Sequence, residues 1–334
     1  MSSLPVVVLT NATFPETRAM FDGVAQVVAN NTLEPWREED LRTHCHEASG
    51  IMTFMPDRID AEFLDNCPKL KVVGAALKGY DNIDVEAATK RDVLVTICPD
   101  LLTVPTAELA IGLMLSLGRH MLAGDTSIRQ NGFSGWRPNF YGTGLDGSRV
   151  GIIGFGLVGQ AIAERLIGFR CQIMAFDSAT HKIPSQLADK VKPVTLADLL
   201  STSDFVVLAL PLTPTTQHMI DDAAIAHMKP GSLLINPARG SLVCETAVAD
   251  AIDAGHIGGY AADVFECEDW ARPDRPKCIE HRLMSAQAPT VLTPHIGSAV
   301  TNVRKKIEAS AASSIIDVLQ GGQPVNAINM PSNV

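Results

Sequence analysis

Residues 149 to 166, "RVGIIGFGLVGQAIAERL", decide the fold. An apolar run leads into Gly154-Phe155-Gly156-Leu157-Val158-Gly159, and a helical pattern follows. A buried strand that turns sharply into a helix opens a βα unit of a doubly wound sheet. Gly154 permits the tight turn, Gly156 lets backbone approach a pyrophosphate, and Gly159 lets helix and strand pack closely. The helix N-terminus adds unpaired N–H groups and the positive end of a dipole. Leu157 and Val158, inside the loop, join the three glycines as candidate cofactor contacts.

The bland alternative is a glycine-rich turn that holds no ligand. It has to treat as coincidence the strand "QIMAFD", which ends in Asp177, 18 residues after Gly159. A carboxylate at that distance meets the adenosine ribose hydroxyls of a dinucleotide. It also repels a 2′-phosphate, so the expected cofactor is NAD rather than NADP.

On either side of this stretch, short β-branched runs alternate with helical patterns. "VVVLT", "GIMTFM", "KVVGAAL" and "VLVTI" form one series of strand candidates. "RVGIIG", "QIMAFD", "DFVVLALPL", "SLLIN", "GGYAADV" and "TVLTPHI" form a second. Strands separated by helices imply crossovers and parallel sheets, so the expected class is α/β with two Rossmann-like domains. A long helical pattern from about Pro105 to Gln130 divides the two series. It is apolar around most of its circumference, which suits a helix buried between domains or at a subunit interface. The closing stretch "VTNVRKKIEASAASSIIDVLQGG" is also helical, and can return to the first series.

The 334 residues suggest about two domains, and 46% apolar content allows a large core. A net charge of −10 argues against nucleic acid or an anionic membrane as partner, but leaves room for a small anionic substrate. "MSSLPVVVLT" lacks the cationic and long apolar regions of a signal peptide. The run "AELAIGLMLSLG" carries Glu108 and is too short to span a bilayer. Seven cysteines without a C-x-x-C pair read as reduced thiols, and the expected location is cytoplasmic. "HCH" at 44 to 46 reads as the exposed end of a polar helix, and no metal is expected.

Three later stretches hold an acid–base set. "NPARGSLV" places Arg239 after one strand, "DVFECEDW" places Asp263, Glu266, Glu268 and Asp269 after another, and "TPHIGSA" places His295 after a third. Ligands of open α/β sheets bind beyond the carboxyl ends of the strands, where these loops converge. Histidine exchanges a proton near neutral pH, a carboxylate on its other nitrogen fixes the tautomer, and arginine grips an oxyanion with a fork of donors. Singly, each has an ordinary reading: a structural histidine, a helix-capping arginine, a solvated acidic loop. Three successive strand ends downstream of a nucleotide loop favour the chemical reading. Pro211, Ala238 and Asp263, at the same ends, are further candidate cofactor contacts.

These motifs together resemble the D-2-hydroxyacid dehydrogenase family along nearly the whole chain. The resemblance implies that Arg239 binds substrate beside the nicotinamide, Glu268 orients His295, and His295 handles the proton. Glu268 rather than Glu266 fits the pattern D-V-F-x-x-E. It also implies a discontinuous substrate domain, residues 1–102 and 297–334, around a central NAD-binding domain, residues 103–296. Relatives form homodimers through the long helical segment, so a homodimer is expected.

Within the family, "FMPDR", "ALKGYDNID", "PDLLTVPTAELAIGL", "GWRPNFYGTGLD" and "GGYAADVFECEDWARPDRP" resemble most closely its phosphite-oxidising branch. That resemblance implies substrate roles for Lys78, Gly79, Arg239 and Arg304, with Met55, Trp136 and Tyr141 around the pocket. Charge agrees. Phosphite near neutral pH carries up to two negative charges on one small centre, and a buried, uncompensated dianion is costly. Lys78 adds a compact point charge to the arginine forks. Its ordinary reading is a side chain that reaches out to solvent. Two other functions compete: an ordinary D-2-hydroxyacid dehydrogenase of the glyoxylate or hydroxypyruvate reductase type, and a non-catalytic NAD-sensing interaction module.

Overall fold

The computed structural model describes residues 4–98, 100–178, 183–269 and 272–331. The chain forms two units. The first takes in the chain up to Leu102 and from Ser298 onward, with Arg272 and Pro273; the second is Thr103–Asp269 with Asp274–Gly297.

The first unit opens with β1 (Val6–Leu9), α1 (Pro15–Ala19), β2 (Gln26–Ala29), α2 (Glu38–Cys45), β3 (Ala48–Thr53), α3 (Ala61–Asp65), β4 (Val72–Ala75), α4 (Val85–Thr89) and β5 (Leu94–Thr96). The strands pair in parallel in the order β2-β1-β3-β4-β5. Because side chains alternate across a strand, Val8, Ile51, Val73 and Val95 enter one core while Val7, Met52, Val72 and Leu94 enter the other.

The second unit begins with α5 (Thr103–Gly118) and α6 (Met121–Asn131), then β6 (Arg149–Ile153), α7 (Leu157–Leu166), β7 (Gln172–Phe176) and β8 (Val191–Pro193). There follow α8 (Leu196–Thr202), β9 (Phe205–Leu208), α9 (Asp222–Ala226), β10 (Leu233–Asn236), α10 (Glu245–Asp253), β11 (Gly259–Ala262) and β12 (Thr290–Leu292). Its parallel order is β12-β11-β10-β9-β6-β7-β8. The chain starts at β6, runs outward through β7 and β8, and restarts on the other side at β9. The switch point therefore lies at the end of β6, where the glycine loop sits.

The last helix, α11 (Thr301–Leu319), belongs to the first unit and packs on β3 and β4. Two glycines make that approach possible. A Cβ at Gly50 would stand 2.8 Å from Ile315 Cγ2, and one at Gly74 2.7 Å from Ile315 Cγ1.

The elements differ from the sequence reading in two places. β2 and β8 were not among the strand candidates: they are edge strands of four and three residues, and β8 buries only Val191. The helix expected from Pro105 to Gln130 is two helices. His120 takes a left-handed φ of 52°, and Thr143 N–H donates to Gly118 O at 2.8 Å as the returning chain crosses the helix end. α5 buries Ala107, Ala110, Leu113, Met114 and Leu117 in the core of its own unit, whereas α6 has no buried residue.

Candidate active site

The glycine loop has the geometry that a bound dinucleotide needs. Gly154 has φ +92°, and a Cβ there would meet Ala209 O at 2.5 Å; one at Gly159 would meet Gly154 O at 2.2 Å. Both spaces are filled by backbone. Gly156 precedes the first residue of α7, and a Cβ there would have no neighbouring atom within 4 Å, so backbone is open to a ligand. Leu157 is exposed and Val158 half-buried. Asp177 directly follows β7, and its Oδ2 accepts the Phe155 N–H at 2.6 Å. The acid is thus locked to the loop it serves. Pro211 stands exposed after β9, and Ala238 half-buried after β10. An open glycine, a free helix end and a fixed carboxylate fit a dinucleotide.

The loops after β10, β11 and β12 pack against one another. A Cβ at Gly240 would stand 1.9 Å from the Phe265 carbonyl carbon, so only glycine lets the arginine loop lie this close to the acidic loop. Arg239 is half-buried, and its Nη1 donates to Ala238 O at 2.8 Å. His295 Nδ1 lies 2.8 Å from Glu268 Oε2, while Glu268 Oε1 accepts the Phe265 N–H at 2.8 Å. A carboxylate can only accept, so Nδ1 carries the proton in the neutral ring, and Nε2 keeps a lone pair that can take one.

His295 holds a left-handed φ of 54°, a conformation that costs a non-glycine residue energy and persists only where its surroundings enforce it. Asp263 enforces it. Its carbonyl accepts the His295 N–H at 2.8 Å. Its carboxylate takes the Thr293 hydroxyl at 2.6 Å and the N–H groups of Ile296 and Gly297 at 2.8 and 2.7 Å. Burial pushes the Asp263 carboxyl above its ordinary range, against these donors. Asp263, expected to contact the cofactor, thus has both oxygens engaged in holding the histidine loop.

The acidic run is not a solvated loop. Glu266 is buried, 2.7 Å from His218 Nε2, and accepts the Glu245 N–H at 3.0 Å. Asp269 is buried and accepts the Ser241 N–H at 2.5 Å. Two glutamates of one short segment therefore each meet a histidine from elsewhere in the chain. The sequence pointed to one of them and passed over His218.

In the first unit, the candidate substrate residues gather at the carboxyl ends of β3 and β4. Met55 is half-buried after β3, and Lys78 and Gly79 follow β4. Arg304, on the first turn of α11, donates from Nη1 to Ala76 O at 3.3 Å. Burial pushes the Lys78 ammonium below its ordinary range, with the Asp100 charge opposing. Burial likewise lowers Arg304, with Glu308 opposing. Trp136 and Tyr141 belong to the second unit; both are 75% exposed and enter neither of its cores. Phe54 was also passed over, although it stands directly between a buried strand and Met55.

Among the described residues no helix is long and apolar enough to cross a membrane. All seven cysteines are unbridged.

Residues 111–297 match the family model described as D-isomer specific 2-hydroxyacid dehydrogenase, NAD binding domain. The chain is 38% identical over 320 residues to a glyoxylate reductase of Pyrococcus horikoshii, covering 92% of each. Among solved structures, the TT0316 protein of Thermus thermophilus superposes with a TM-score of 0.88 at 31% identity, covering 97% of this chain and 100% of that one. A putative D-isomer specific 2-hydroxyacid dehydrogenase from Polaromonas gives 0.87 at 28% identity, covering 98% and 100%.

Proposed function

This chain belongs to the D-isomer specific 2-hydroxyacid dehydrogenase family and is an NAD-dependent oxidoreductase, and within that activity we propose that its substrate is phosphite, oxidised to phosphate. On this reading the first unit is the substrate domain and the second the NAD domain, the part that holds the matched residues 111–297.

The observation that carries the proposal is the pair of partly buried cations, Lys78 after β4 and Arg304 on α11 against the end of β4. Ala76, whose carbonyl Arg304 touches, is two residues from Lys78. Holding two positive charges out of water costs free energy, since burial disfavours both charged forms. A monoanionic carboxylate is satisfied by one arginine. A compact dianion repays both cations.

The chemistry follows from the residues. The P–H bond breaks with its electron pair, and a P–O bond forms to water. When bound, NAD would supply the hydride acceptor, the nicotinamide C4. Gly156 would meet the pyrophosphate, in a turn that Gly154 and Gly159 allow, and Asp177 would meet the ribose hydroxyls. His295 Nε2 takes the water's proton, and Glu268 steadies the imidazolium that results. Lys78 and Arg304 hold the phosphorus oxygens as charge shifts onto them, and the resemblance gives Arg239 an oxyanion-binding role as well. Met55 shapes the pocket wall.

We also propose a homodimer. Met121, Leu122 and Ile128 of α6 are about half exposed, and Phe133, Trp136 and Tyr141 are 75% exposed. A second copy of the chain would cover this apolar stretch, and with it the two aromatic residues assigned to the pocket. Light scattering that gives the monomer mass would remove this proposal.

The names of the relatives favour a second reading, a glyoxylate reductase-like 2-hydroxyacid dehydrogenase. It shares the cofactor loop and the Arg239–Glu268–His295 set, but gives Lys78 no task. NADH absorbance decides. Purified protein with NAD and phosphite should form NADH; formation only with 2-hydroxy acids would establish the second reading instead. NAD binding with no turnover of either would favour a non-catalytic NAD-sensing module.

A further inference from the structure

Phe54 occupies a position in the first unit that none of the assigned roles uses. Its backbone is gripped from both sides. The Phe54 N–H donates to Asp57 Oδ2 at 2.7 Å, and its carbonyl accepts from Asn82 Nδ2 at 3.2 Å. Asp57 is 4% exposed, and the same oxygen takes the hydroxyls of Thr53, at 2.9 Å, and Thr10. Asn82 is also 4% exposed, and its Nδ2 donates a second time, to Asp57 O at 2.7 Å. Asn82 lies four residues after Lys78. The clamp therefore ties the turn that carries Met55 to the loop that carries Lys78.

The Phe54 ring, so held, faces Arg304, whose Cζ is 5.6 Å from the ring centroid. That is within reach of a cation–π interaction, which strengthens where the cation is shielded from water. Among the described residues, the guanidinium makes one hydrogen bond, to Ala76 O at 3.3 Å. One long bond leaves the plane of the guanidinium free to turn; a ring beneath it does not. Substrate-binding groups work best when their orientation is set before the ligand arrives.

We propose that Phe54 is a positioning residue: its ring is the platform that holds the Arg304 guanidinium ready for the substrate oxyanion, and the Asp57–Asn82 clamp sets the platform's place. The proposal rests on Arg304 binding substrate, as argued above. Phe54 itself touches no substrate.

The test is a double-mutant cycle in steady-state kinetics, run on whichever substrate the wild-type enzyme oxidises. Phe54→Leu, which keeps an apolar side chain but removes the ring face, should raise KM about tenfold and leave kcat within about threefold. Phe54→Tyr should restore KM. In an Arg304→Ala background, Phe54→Leu should add nothing, because the platform has lost what it supports. An unchanged KM in Phe54→Leu would overturn the proposal, and so would a KM increase that persists undiminished without Arg304. If Phe54→Leu fails to fold by circular dichroism, Phe54→Met is put through the same cycle. Wild-type silence toward phosphite would overturn the substrate reading alone; absent coupling between Phe54 and Arg304 would overturn the platform alone.

Discussion

Glu268 Oε2 sits 2.8 Å from His295 Nδ1, while its other oxygen is tied to the Phe265 N–H. The carboxylate is therefore fixed at one end by backbone and at the other by the ring it orients. A base held this way keeps one tautomer, and its removal should cost more than a contact. His295→Ala should lower kcat by about 10²- to 10⁴-fold, with NAD binding by calorimetry unchanged. Glu268→Gln retains an oxygen for Nδ1–H and should lose less than Glu268→Ala. Near wild-type kcat in the His295 variant would remove it as the base.

Lys78 should give phosphite binding an alkaline limit. Burial depresses the ammonium, so Lys78 loses its proton at a lower pH than a solvated lysine. The charged form prevails below that folded-state pKa and is lost as pH rises through it. KM for phosphite should therefore climb on the alkaline side while kcat changes less. Lys78→Arg keeps its charge throughout and should flatten the climb, whereas Lys78→Ala should show a high KM at every pH. A wild-type KM independent of pH up to the ordinary lysine range would count against the role.

Asp177 should control cofactor choice in two separable ways. On the proposed reading it would set negative charge where NADP carries a phosphate, and it ties down the Phe155 N–H at 2.6 Å. Asp177→Asn keeps an acceptor for that N–H and loses the charge. It should narrow the NAD to NADP efficiency ratio about tenfold or more, with modest loss of NAD affinity. Asp177→Ala loses both features and should weaken both cofactors. An unaltered ratio in both variants would show that discrimination lies elsewhere.

Packing of α11 on the first sheet should be intolerant of one methyl group. At Gly74 a Cβ would lie 2.7 Å from Ile315 Cγ1 and 3.0 Å from the Ala311 carbonyl oxygen. Gly74→Ala should destabilise by about 1–3 kcal/mol through overpacking, read as an earlier urea midpoint. Gly112→Ala is the control, since nothing lies within 4 Å of a Cβ there. It should be neutral or slightly stabilising, because alanine favours the helix.

How much of this was legible depends on whether the signal was local. The glycine loop announces a strand, a turn and a helix within 18 residues, because its constraints act between near neighbours. The long buried strands were legible for the same reason: parallel strands covered on both faces are written as unbroken apolar runs. β2 and β8 escaped because short edge strands lack that run. The break at His120 escaped because its cause, the segment returning through Thr143, lies more than twenty residues away.

The sequence by itself determined the α/β class, the nucleotide loop with its carboxylate, and the residue types of the acid–base set. Only the tertiary structure decided how four neighbouring acids divide their work: Asp263 holds the histidine loop, Glu266 meets His218, Glu268 meets His295, and Asp269 anchors Ser241. It also decided that Phe54, between strand and methionine, lies under an arginine 250 residues away. A carboxylate's partner is whatever donor the fold brings within about 3 Å, and loops far apart in the chain acquire their neighbours only when the sheet closes beneath them.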